Sequence, residues 1–386
     1  MLKSFTLRLV IFTLPMVTVL GMLWGALFVS GDLRSPLRLI ATHLQQPKLL
    51  YAIPDLALLD YKSVALPLVA PDVVAMGSSR VLQLRQAMFT NATFYNLGIA
   101  NGNMFYANYY VDQMNERGDY PAVILLGVDL DWFHRIDFGG AHYKSGQRIG
   151  TWKHTLTFAD LLNQTRLLTA NLLEGKVTYD DLLSRDASRF GDDYLRIGTQ
   201  TLLRGDGFRS DGSYYYYTVT RSADFSEPLY DLEDVRSGND SRFNPATQAD
   251  PRALEQLAQL VTALKALPQV TVIAFSPPYA PQLYDQMEAS GEYTYFDEVR
   301  RTVRGYEDEQ FWYFDFSSGD FADLRNVHYI DAFHGSELVY TLMLQEMAKQ
   351  VPALANMTDV DWLQTQLDQR PHHPYVVFDP VPLAES

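Results

Sequence analysis

The chain of 386 residues contains no cysteine. This absence excludes disulfide bonds, thiolate ligands for a metal and a cysteine nucleophile. Basic residues are also scarce, because 31 lysines and arginines stand against 46 aspartates and glutamates, for a formal net charge of −15. A nucleic-acid partner needs a positively charged surface that neutralises phosphates. We therefore expect the chain to bind no nucleic acid.

Patterns that hold metal ions are missing as well. His372 and His373 lie between prolines, with no acidic or histidine partner at helical spacing. The acidic residues from Asp231 to Asp240 lack the spacing of a calcium-binding loop. We expect neither a metal site nor a cofactor.

One long hydrophobic run is present, at the N-terminus. Lys3 and Arg8 precede an uncharged apolar segment at residues 9–29. A helix of about 20 residues spans the hydrocarbon core of a bilayer, and flanking cations favour the cytoplasmic side. The segment predicts a single-pass membrane anchor, with residues 1–8 in the cytoplasm and the remainder of the chain outside.

A cleaved signal peptide is the alternative interpretation of this segment. Gly25 and Ala26 are small enough for a cleavage site, but Leu27 and Phe28 follow them. These two side chains do not complete the small-residue motif that a signal peptidase needs. We therefore favour an uncleaved anchor.

After residue 70 the sequence alternates between short apolar runs and longer amphipathic segments. Strands are predicted at residues 72–76, 93–97, 122–127, 269–275 and 311–315. Helices are predicted at 80–89, 103–117, 252–266, 292–304 and 335–349. Continuously apolar strands that alternate with helices are typical of a parallel sheet covered on both faces. The pattern predicts an α/β fold of three layers around a mostly parallel, five-stranded sheet.

The alternation defines the predicted domain organisation. Residues 30–70 are expected to form a stalk, and residues 71–350 the α/β domain. Within that domain, the alternation is lost at residues 133–250, which are interpreted as an insertion that caps the carboxyl ends of the strands. Ligands of open α/β sheets bind at that edge. Residues 351–386 are expected to form a proline-rich tail on the surface.

Two short motifs carry the chemistry. Ser79 lies where the first predicted strand ends and the next helix begins, and Asp331-Ala332-Phe333-His334 precedes the last predicted helix. A serine becomes a nucleophile when a histidine takes its proton and a carboxylate orients that histidine. Ser79, His334 and Asp331 therefore form a candidate catalytic triad. The Ser79 N–H at the start of a helix would also favour a developing negative charge.

Helix capping is the structural alternative for the same residues. Ser78 or Ser79 is a suitable N-cap for the helix that follows, and Asp331 is a suitable cap for the last helix. Catalysis and capping require different arrangements of the serine and histidine side chains. Catalysis requires the serine hydroxyl and the imidazole to meet, and capping does not.

Four short blocks occur in order along the predicted α/β domain. They are Gly77-Ser78-Ser79, Asn96-Leu97-Gly98-Ile99-Ala100-Asn101-Gly102, Gly127-Val128-Asp129-Leu130, and the pair Asp331 and His334. In this order they resemble the SGNH, or GDSL-like, hydrolase superfamily. In particular they resemble its membrane-anchored bacterial members, which are associated with modification of cell-envelope glycans and teichoic acids. The resemblance covers roughly residues 70–350 without the insertion, and it implies an SGNH or flavodoxin-like fold with Ser79 as nucleophile.

The resemblance also implies an oxyanion hole, in which two positions depart from the family pattern. Asn101 lies at the usual position of a glycine N–H donor, with Gly102 beside it. Asp129 stands where the family has an asparagine that donates a hydrogen bond, and an ionised carboxylate cannot donate. Loss of one such donor costs about 10²–10³ in rate. Asp129 is therefore expected to be protonated, to turn away, to bind a substrate hydroxyl, or only to cap its loop.

Two further features have a functional and a structural interpretation. Arg80 is expected either to hold an anionic group of a substrate or to pair with an acid such as Asp129. The aromatic residues at 132–133 and 214–217 are expected either to stack on sugar rings or to pack in the core.

The resemblance implies an extracytoplasmic serine O-acyltransferase or esterase that acts on acyl groups, in particular acetyl groups, of a cell-envelope polysaccharide. The anchor would then lie in a bacterial cytoplasmic membrane, and a membrane-bound O-acyltransferase is an expected partner. Two alternatives stay open. One is a catalytically inactive, membrane-tethered accessory that binds glycan or scaffolds an acylation or export complex. The other is a hydrolase of lipids or small esters.

Overall fold

The fold is taken from a computed structural model. It describes residues 2–34, 36–52, 55–100, 102–134, 158–184, 190–191, 193–217, 241–370 and 373–378. The chain divides into two compact units. The first unit comprises Met1–Tyr61, Gly150–Ser210 and Tyr215–Thr218, and the second comprises Lys62–Ile149, Asp211–Tyr214 and Val219–Ser386.

Strands and helices alternate through most of the chain. The strands are β1 (Leu49–Tyr51), β2 (Val73–Met76), β3 (Phe94–Asn96), β4 (Val123–Gly127), β5 (Leu195–Ile197), β6 (Gly207–Phe208), β7 (Tyr214–Tyr215), β8 (Thr271–Ser276) and β9 (Phe311–Asp315). The helices are α1 (Leu2–Ser30), α2 (Pro36–Gln45), α3 (Asp55–Val69), α4 (Met104–Arg117), α5 (Phe158–Leu173), α6 (Tyr179–Ser184), α7 (Thr199–Arg204), α8 (Pro251–Lys265), α9 (Pro281–Ser290), α10 (Tyr295–Arg304), α11 (Glu337–Gln350), α12 (Pro352–Ala355) and α13 (Val360–Gln369).

The second unit is built on a five-stranded sheet in the order β3-β2-β4-β8-β9. All of its neighbouring strands are parallel. Numbered along the sheet-forming strands alone, this is the order 2-1-3-4-5 of doubly wound α/β sheets. The order reverses between β2 and β4, where Met76 pairs with Leu126. At this switch point the carboxyl ends of neighbouring strands open a crevice in which ligands of such sheets bind.

The predicted strands of this sheet are confirmed. β2 and β4 are buried along their whole length, as expected for strands covered on both faces. A continuous apolar run of this length is stable only when it is buried, so the runs in the sequence coincide with the strands of the structure. The α/β class and the parallel five-stranded sheet are therefore properties of the chain.

One predicted helix, at residues 80–89, is wrong. Two short 3₁₀ turns occur instead, at Ser79–Val81 and Gln86–Met88. The Asn96 side-chain amide donates to the carbonyl oxygens of Val81 and Leu84 at 2.8 and 2.9 Å. The Val81 carbonyl also accepts from the Leu84 N–H at 3.1 Å, and with the Asn96 amide as a further donor neither carbonyl needs the N–H of a following helical turn.

The first unit combines the N-terminal segment with residues from the middle of the chain. Its small sheet has the order β5-β1-β6-β7, in which β1 is parallel to β5 and antiparallel to β6. Residues 30–61, which belong to the predicted stalk, and residues 150–210, which belong to the predicted insertion, therefore share one unit.

Helix α1 is long and apolar enough to cross a membrane. Its segment Ile11–Ser30 has a mean hydropathy of 1.9, a value that a membrane span and a signal sequence share. The C-terminal third of α1 is also part of a protein core. A buried cluster in the first unit comprises Leu23, Ala26, Leu27, Leu168, Val177, Leu182 and Leu202.

The C-terminal region forms two helices, α12 and α13, rather than only an irregular tail. Leu363 and Leu367 on α13 are buried. Leu367 and Val377 pack against Leu338 on α11. The segment thereby covers the last helix of the α/β unit.

Candidate active site

The structure brings Ser79, His334 and Asp331 together. The Oγ of Ser79 lies 2.8 Å from the Nε2 of His334. The Nδ1 of the same imidazole lies 2.8 and 2.9 Å from the two carboxylate oxygens of Asp331. Ser79 and His334 are both partly exposed. This chain of hydrogen bonds is the arrangement that activates a serine for acyl transfer.

Asp331 shapes the turn that presents the histidine. Its Oδ1 accepts hydrogen bonds from the backbone N–H groups of Phe333, at 2.8 Å, and of His334, at 2.6 Å. It does not cap α11, which begins later, at Glu337. Burial alone would raise the pKa of Asp331, but attraction to His334 and these hydrogen bonds outweigh it and lower the pKa below the usual value. Asp331 is therefore an ionised carboxylate at neutral pH.

Of the two serines after β2, Ser78 caps the following turn and Ser79 contacts the histidine. The Ser78 hydroxyl accepts from the Arg80 N–H at 3.1 Å and so caps the 3₁₀ turn Ser79–Val81. The Ser79 hydroxyl is left to contact His334. Because the turn is a single 3₁₀ turn, Ser79 does not benefit from the dipole of a full helix, contrary to our expectation.

Close packing fixes the turn that carries Ser79. Gly77 has a φ of 152°, and a Cβ there would lie only 2.8 Å from the Cγ1 of Val81. A Cβ on Gly102 would lie 2.5 Å from the carbonyl oxygen of Gly77 and 3.1 Å from the Cα of Ser78. Glycine is therefore required where these two backbone segments meet.

The second sequence block lies against the nucleophile turn, but its N–H groups are partly used. The Gly102 N–H donates to the carbonyl oxygen of Ile99 at 2.7 Å. Asn101 lies outside the described residues. Within the described part of the chain, no group accepts a hydrogen bond from the Ser79 N–H. Among the predicted oxyanion donors that the structure describes, the Ser79 N–H is therefore the one that can still donate a hydrogen bond to an oxyanion.

Lys62 is a buried residue of this region that sequence reasoning missed. Its Nζ donates to the carbonyl oxygens of Asn96, Gly98 and Gly212 at 2.9, 2.5 and 2.9 Å. Burial lowers its pKa well below the usual value. As the only cation of α3, it stood out in the sequence as a charge in an apolar helix. It holds the backbone of the second block in place.

Arg80 is fully buried beside the triad. Its Nη2 donates to the carbonyl oxygen of Pro277 at 2.7 Å. The guanidinium lies over the rings of Tyr279, at 4.2 Å, and Phe333, at 4.5 Å. Phe333 directly precedes His334, so Arg80 links the Ser79 turn, the loop after β8 and the His334 turn. Its Nη1 lies 3.7 Å from the Oδ1 of Asp129, so the expected pairing with this acid is present.

Asp129 and Asp131 form a buried acidic pair behind the site. Asp129 follows β4 as Ser79 follows the neighbouring β2, and both carboxylate oxygens of Asp129 lack a hydrogen bond of ordinary geometry. Burial raises the pKa of Asp129, although Arg80, the Ser78 hydroxyl and His334 all act to lower it. Burial and the charge of Asp129 raise the pKa of Asp131 to about 7. Arg80 is the cation that acts on both carboxyl groups, with Arg242 acting on Asp131 as well, and these attractions do not offset the burial of two acids.

The raised pKa of Asp131 predicts a pH-dependent stability. Between the unfolded value of about 3.9 and the folded value, the unfolded chain has released a proton that the folded chain keeps. Stability therefore falls as the pH rises through this window and levels off above it. Asp131→Asn removes the titration, and we expect it to raise the unfolding temperature at about pH 8 but not at about pH 4.

Thermal unfolding of the full chain in detergent at both pH values measures this effect. Asp285→Asn, at an exposed position, is the matched control. An equal shift at both pH values would contradict the proposed titration.

Three of the aromatic residues considered for sugar binding are buried, and Tyr214, Tyr216 and Tyr217 are half-buried. Trp132 and Phe133 are buried. Tyr215 is buried, and its ring contacts the rings of Tyr194 and Tyr217 in the first unit. Trp132, Phe133 and Tyr215 therefore pack in the protein.

Comparisons with known proteins do not identify the chain. No protein-family model matches it, no curated protein matches it, and no solved structure matches it. What the site does is therefore inferred from its own geometry and from the sequence blocks.

Proposed function

We propose that the chain is a membrane-anchored serine O-acyltransferase or esterase with an SGNH-like α/β domain. Its substrates are acyl groups, in particular acetyl groups, of an extracytoplasmic cell-envelope polysaccharide. The observation that carries the proposal is the 2.8 Å contact between the Ser79 Oγ and the His334 Nε2, with Asp331 behind the imidazole. The position of Ser79 at the switch point of the sheet supports it, because ligands of such sheets bind there.

In the proposed reaction each residue has one role. The Ser79 Oγ attacks the carbonyl carbon of an acyl donor while His334 takes the hydroxyl proton at Nε2. Asp331 holds the Nδ1 proton and stabilises the imidazolium that forms. The Ser79 N–H donates to the oxyanion. Collapse expels the donor's alcohol, which takes the proton from His334, and leaves an acyl ester on Ser79.

The second half of the reaction reverses these roles. A sugar hydroxyl, or water in an esterase, loses its proton to His334 and attacks the acyl ester on Ser79. The proton then returns to the Ser79 Oγ, and the acylated sugar or the free acid leaves. A membrane-bound O-acyltransferase that delivers acyl groups to the outer face of the membrane is the partner that this reaction would use.

Covalent labelling tests the proposal. The full chain in detergent is treated with a chromogenic acetyl ester, and the acylated peptide is identified by mass spectrometry. We expect a burst of one alcohol per chain and acetylation of Ser79, with the burst lost in Ser79→Ala and in His334→Ala. Ser78→Ala is the matched control, because it removes the cap of the turn and the contact to Asp129 and keeps the nucleophile. Labelling that survives in Ser79→Ala would refute the proposal.

Asp129 favours a second candidate function, that of a catalytically inactive accessory. A carboxylate at the position of the family's asparagine would repel an oxyanion. Asp129→Asn separates the two candidates in the same assay. A neutral, donating Asp129 predicts labelling within a few-fold of the parent chain. An ionised Asp129 predicts an increase of about 10²-fold. Absence of labelling in both chains would favour the accessory.

A further inference from the structure

Exposed apolar side chains are concentrated in the first unit. Outside α1, the large hydrophobic side chains that are exposed in this unit include Leu37, Leu44, Leu162, Leu173 and Leu183. Across the described residues of the larger second unit, Leu68 alone is exposed to this degree. Such an uneven distribution indicates a surface that does not face water in the working protein.

The amphipathic helix α2 shows that this exposure is organised. Leu37, Ala41 and Leu44 are exposed and follow one another at i, i+4 and i+7, on one face of the helix. Leu39 and Ile40 are buried in the protein. Arg38 and Gln45 form an exposed polar edge beside Leu37 and Ala41. The apolar side of α2 is thus wider than the part that the protein covers. Leu37, Ala41 and Leu44 therefore face something other than water, with the polar edge beside them.

Helices α5 and α6 add to this surface. Leu162 and Leu173 on α5 are 48% and 82% exposed. They are three helical turns apart and so lie on the same face, with the exposed Arg166 between them, a cation of the kind found at the headgroup level of interfacial helices. Leu183 on α6 is also exposed. All of these side chains therefore belong to the helices that follow or cover α1.

The length of the apolar segment of α1 indicates that lipid covers these exposed leucines. The apolar segment of α1 begins at Leu9, but Leu23, Ala26 and Leu27 are buried against the protein. The part ahead of Leu23 rises only about 21 Å as a helix, about 9 Å less than the hydrocarbon core of a bilayer. If the apolar segment of α1 spans the whole hydrocarbon core, the bilayer extends past Leu23 and reaches the helices that pack against the end of α1.

Trp24 fixes one of these helices at that level. Its Nε1 donates to the Oγ1 of Thr165, in the middle of α5, at 3.2 Å. Tryptophan prefers the interface between headgroups and acyl chains, and interfacial helices enter this boundary by about 5–10 Å. This depth is similar to the difference of about 9 Å between the bilayer core and the part of α1 ahead of Leu23. A helix at the depth of Trp24, such as α5, then lies in the interface.

We propose that the first unit is seated in the membrane surface, in the leaflet where α1 ends. The apolar faces of α2, α5 and α6, with Leu44, Leu173 and Leu183, enter the boundary between headgroups and acyl chains. Helix α1 is then a retained anchor, because its removal would open the buried cluster of the first unit. This inference does not depend on the proposed function.

The absence of cysteine allows a direct test with single labels. Leu44→Cys, Leu173→Cys and Leu183→Cys are each made in the full chain and coupled to an environment-sensitive fluorophore. Leu68→Cys is the matched control, because Leu68 is 50% exposed, close to the 48% of Leu44. The proteins are reconstituted in vesicles of phosphatidylethanolamine and phosphatidylglycerol that carry a nitroxide lipid with a shallow label.

We expect blue-shifted emission at positions 44, 173 and 183 and quenching by the nitroxide lipid several-fold stronger than at position 68. Quenching equal to that at position 68 would overturn the proposal. Blue-shifted emission without nitroxide quenching would also overturn it, because it indicates a protein rather than a lipid at the surface. A Ser79→Ala background separates this result from the proposed chemistry, since the membrane contact predicts unchanged quenching.

Discussion

With asparagine at position 331, acyl-enzyme formation at Ser79 is expected to fall about 10⁴-fold while the fold is retained. The asparagine oxygen still accepts from the backbone N–H groups of Phe333 and His334, so the turn persists. The asparagine NH₂ group, however, faces the His334 Nδ1 and forces the imidazole proton onto Nε2. A protonated Nε2 cannot accept the proton of the Ser79 hydroxyl, so the nucleophile is not activated.

The rate of the alcohol burst, measured over a range of pH, checks this expectation. Asp320→Asn is the matched control, because Asp320 is exposed and lies in the same part of the chain. Unchanged thermal unfolding together with the lost burst would locate the effect in the chemistry. A burst near the parental rate would show that Asp331 does no more than shape the turn.

Loss of the buried cation is expected to have the largest effect on stability. Arg80→Met leaves Asp129 and Asp131 buried without a counter-charge and removes the donor to Pro277. Breaking a buried pair by removal of one partner costs about 3–5 kcal/mol. We expect this loss at neutral and alkaline pH. It should be smaller at acidic pH, because protonated carboxyl groups need no counter-charge.

Thermal unfolding of the detergent-solubilised chain at two pH values measures this loss. Arg242→Met is the comparison variant, because Arg242 also lies over the Phe333 ring and acts on Asp131 but is partly exposed, so its removal should cost less than that of Arg80. A second variant, Arg80→Met with Asp129→Leu, should recover part of the stability, since one of the two uncompensated carboxyl groups is gone. Equal losses in Arg80→Met and Arg242→Met would contradict the role of the buried charge.

The parts of the fold that were predictable are those set by local composition. The five strands of the parallel sheet are short apolar runs between turn residues, and such runs have to be buried. Asp331 and His334 were predictable as a pair because a single turn joins them. Ser79 was predictable because it stands directly after a buried strand, at the edge where such sheets bind ligands.

Features set by distant contacts were not predictable. Residues 80–89 have helical composition, but the side chain of Asn96 takes the carbonyls that a helix would use. The grouping of residues 30–61 with residues 150–210 leaves no local trace in the sequence. The protonation of Asp129 and Asp131 depends on their joint burial beside Arg80, which only the folded chain defines. In each case a long-range interaction outweighs the local preference.

The core of the first unit has a consequence for how the chain matures. It joins Leu23 and Leu27 to Leu202, residues from the start and the middle of the polypeptide. In the membrane placement that we propose, α1 enters the lipid long before its packing partners have been made. Its inner face would then stay in contact with lipid until the ribosome has passed residue 202. Folding of this unit would be completed at the bilayer, after export of the intervening residues.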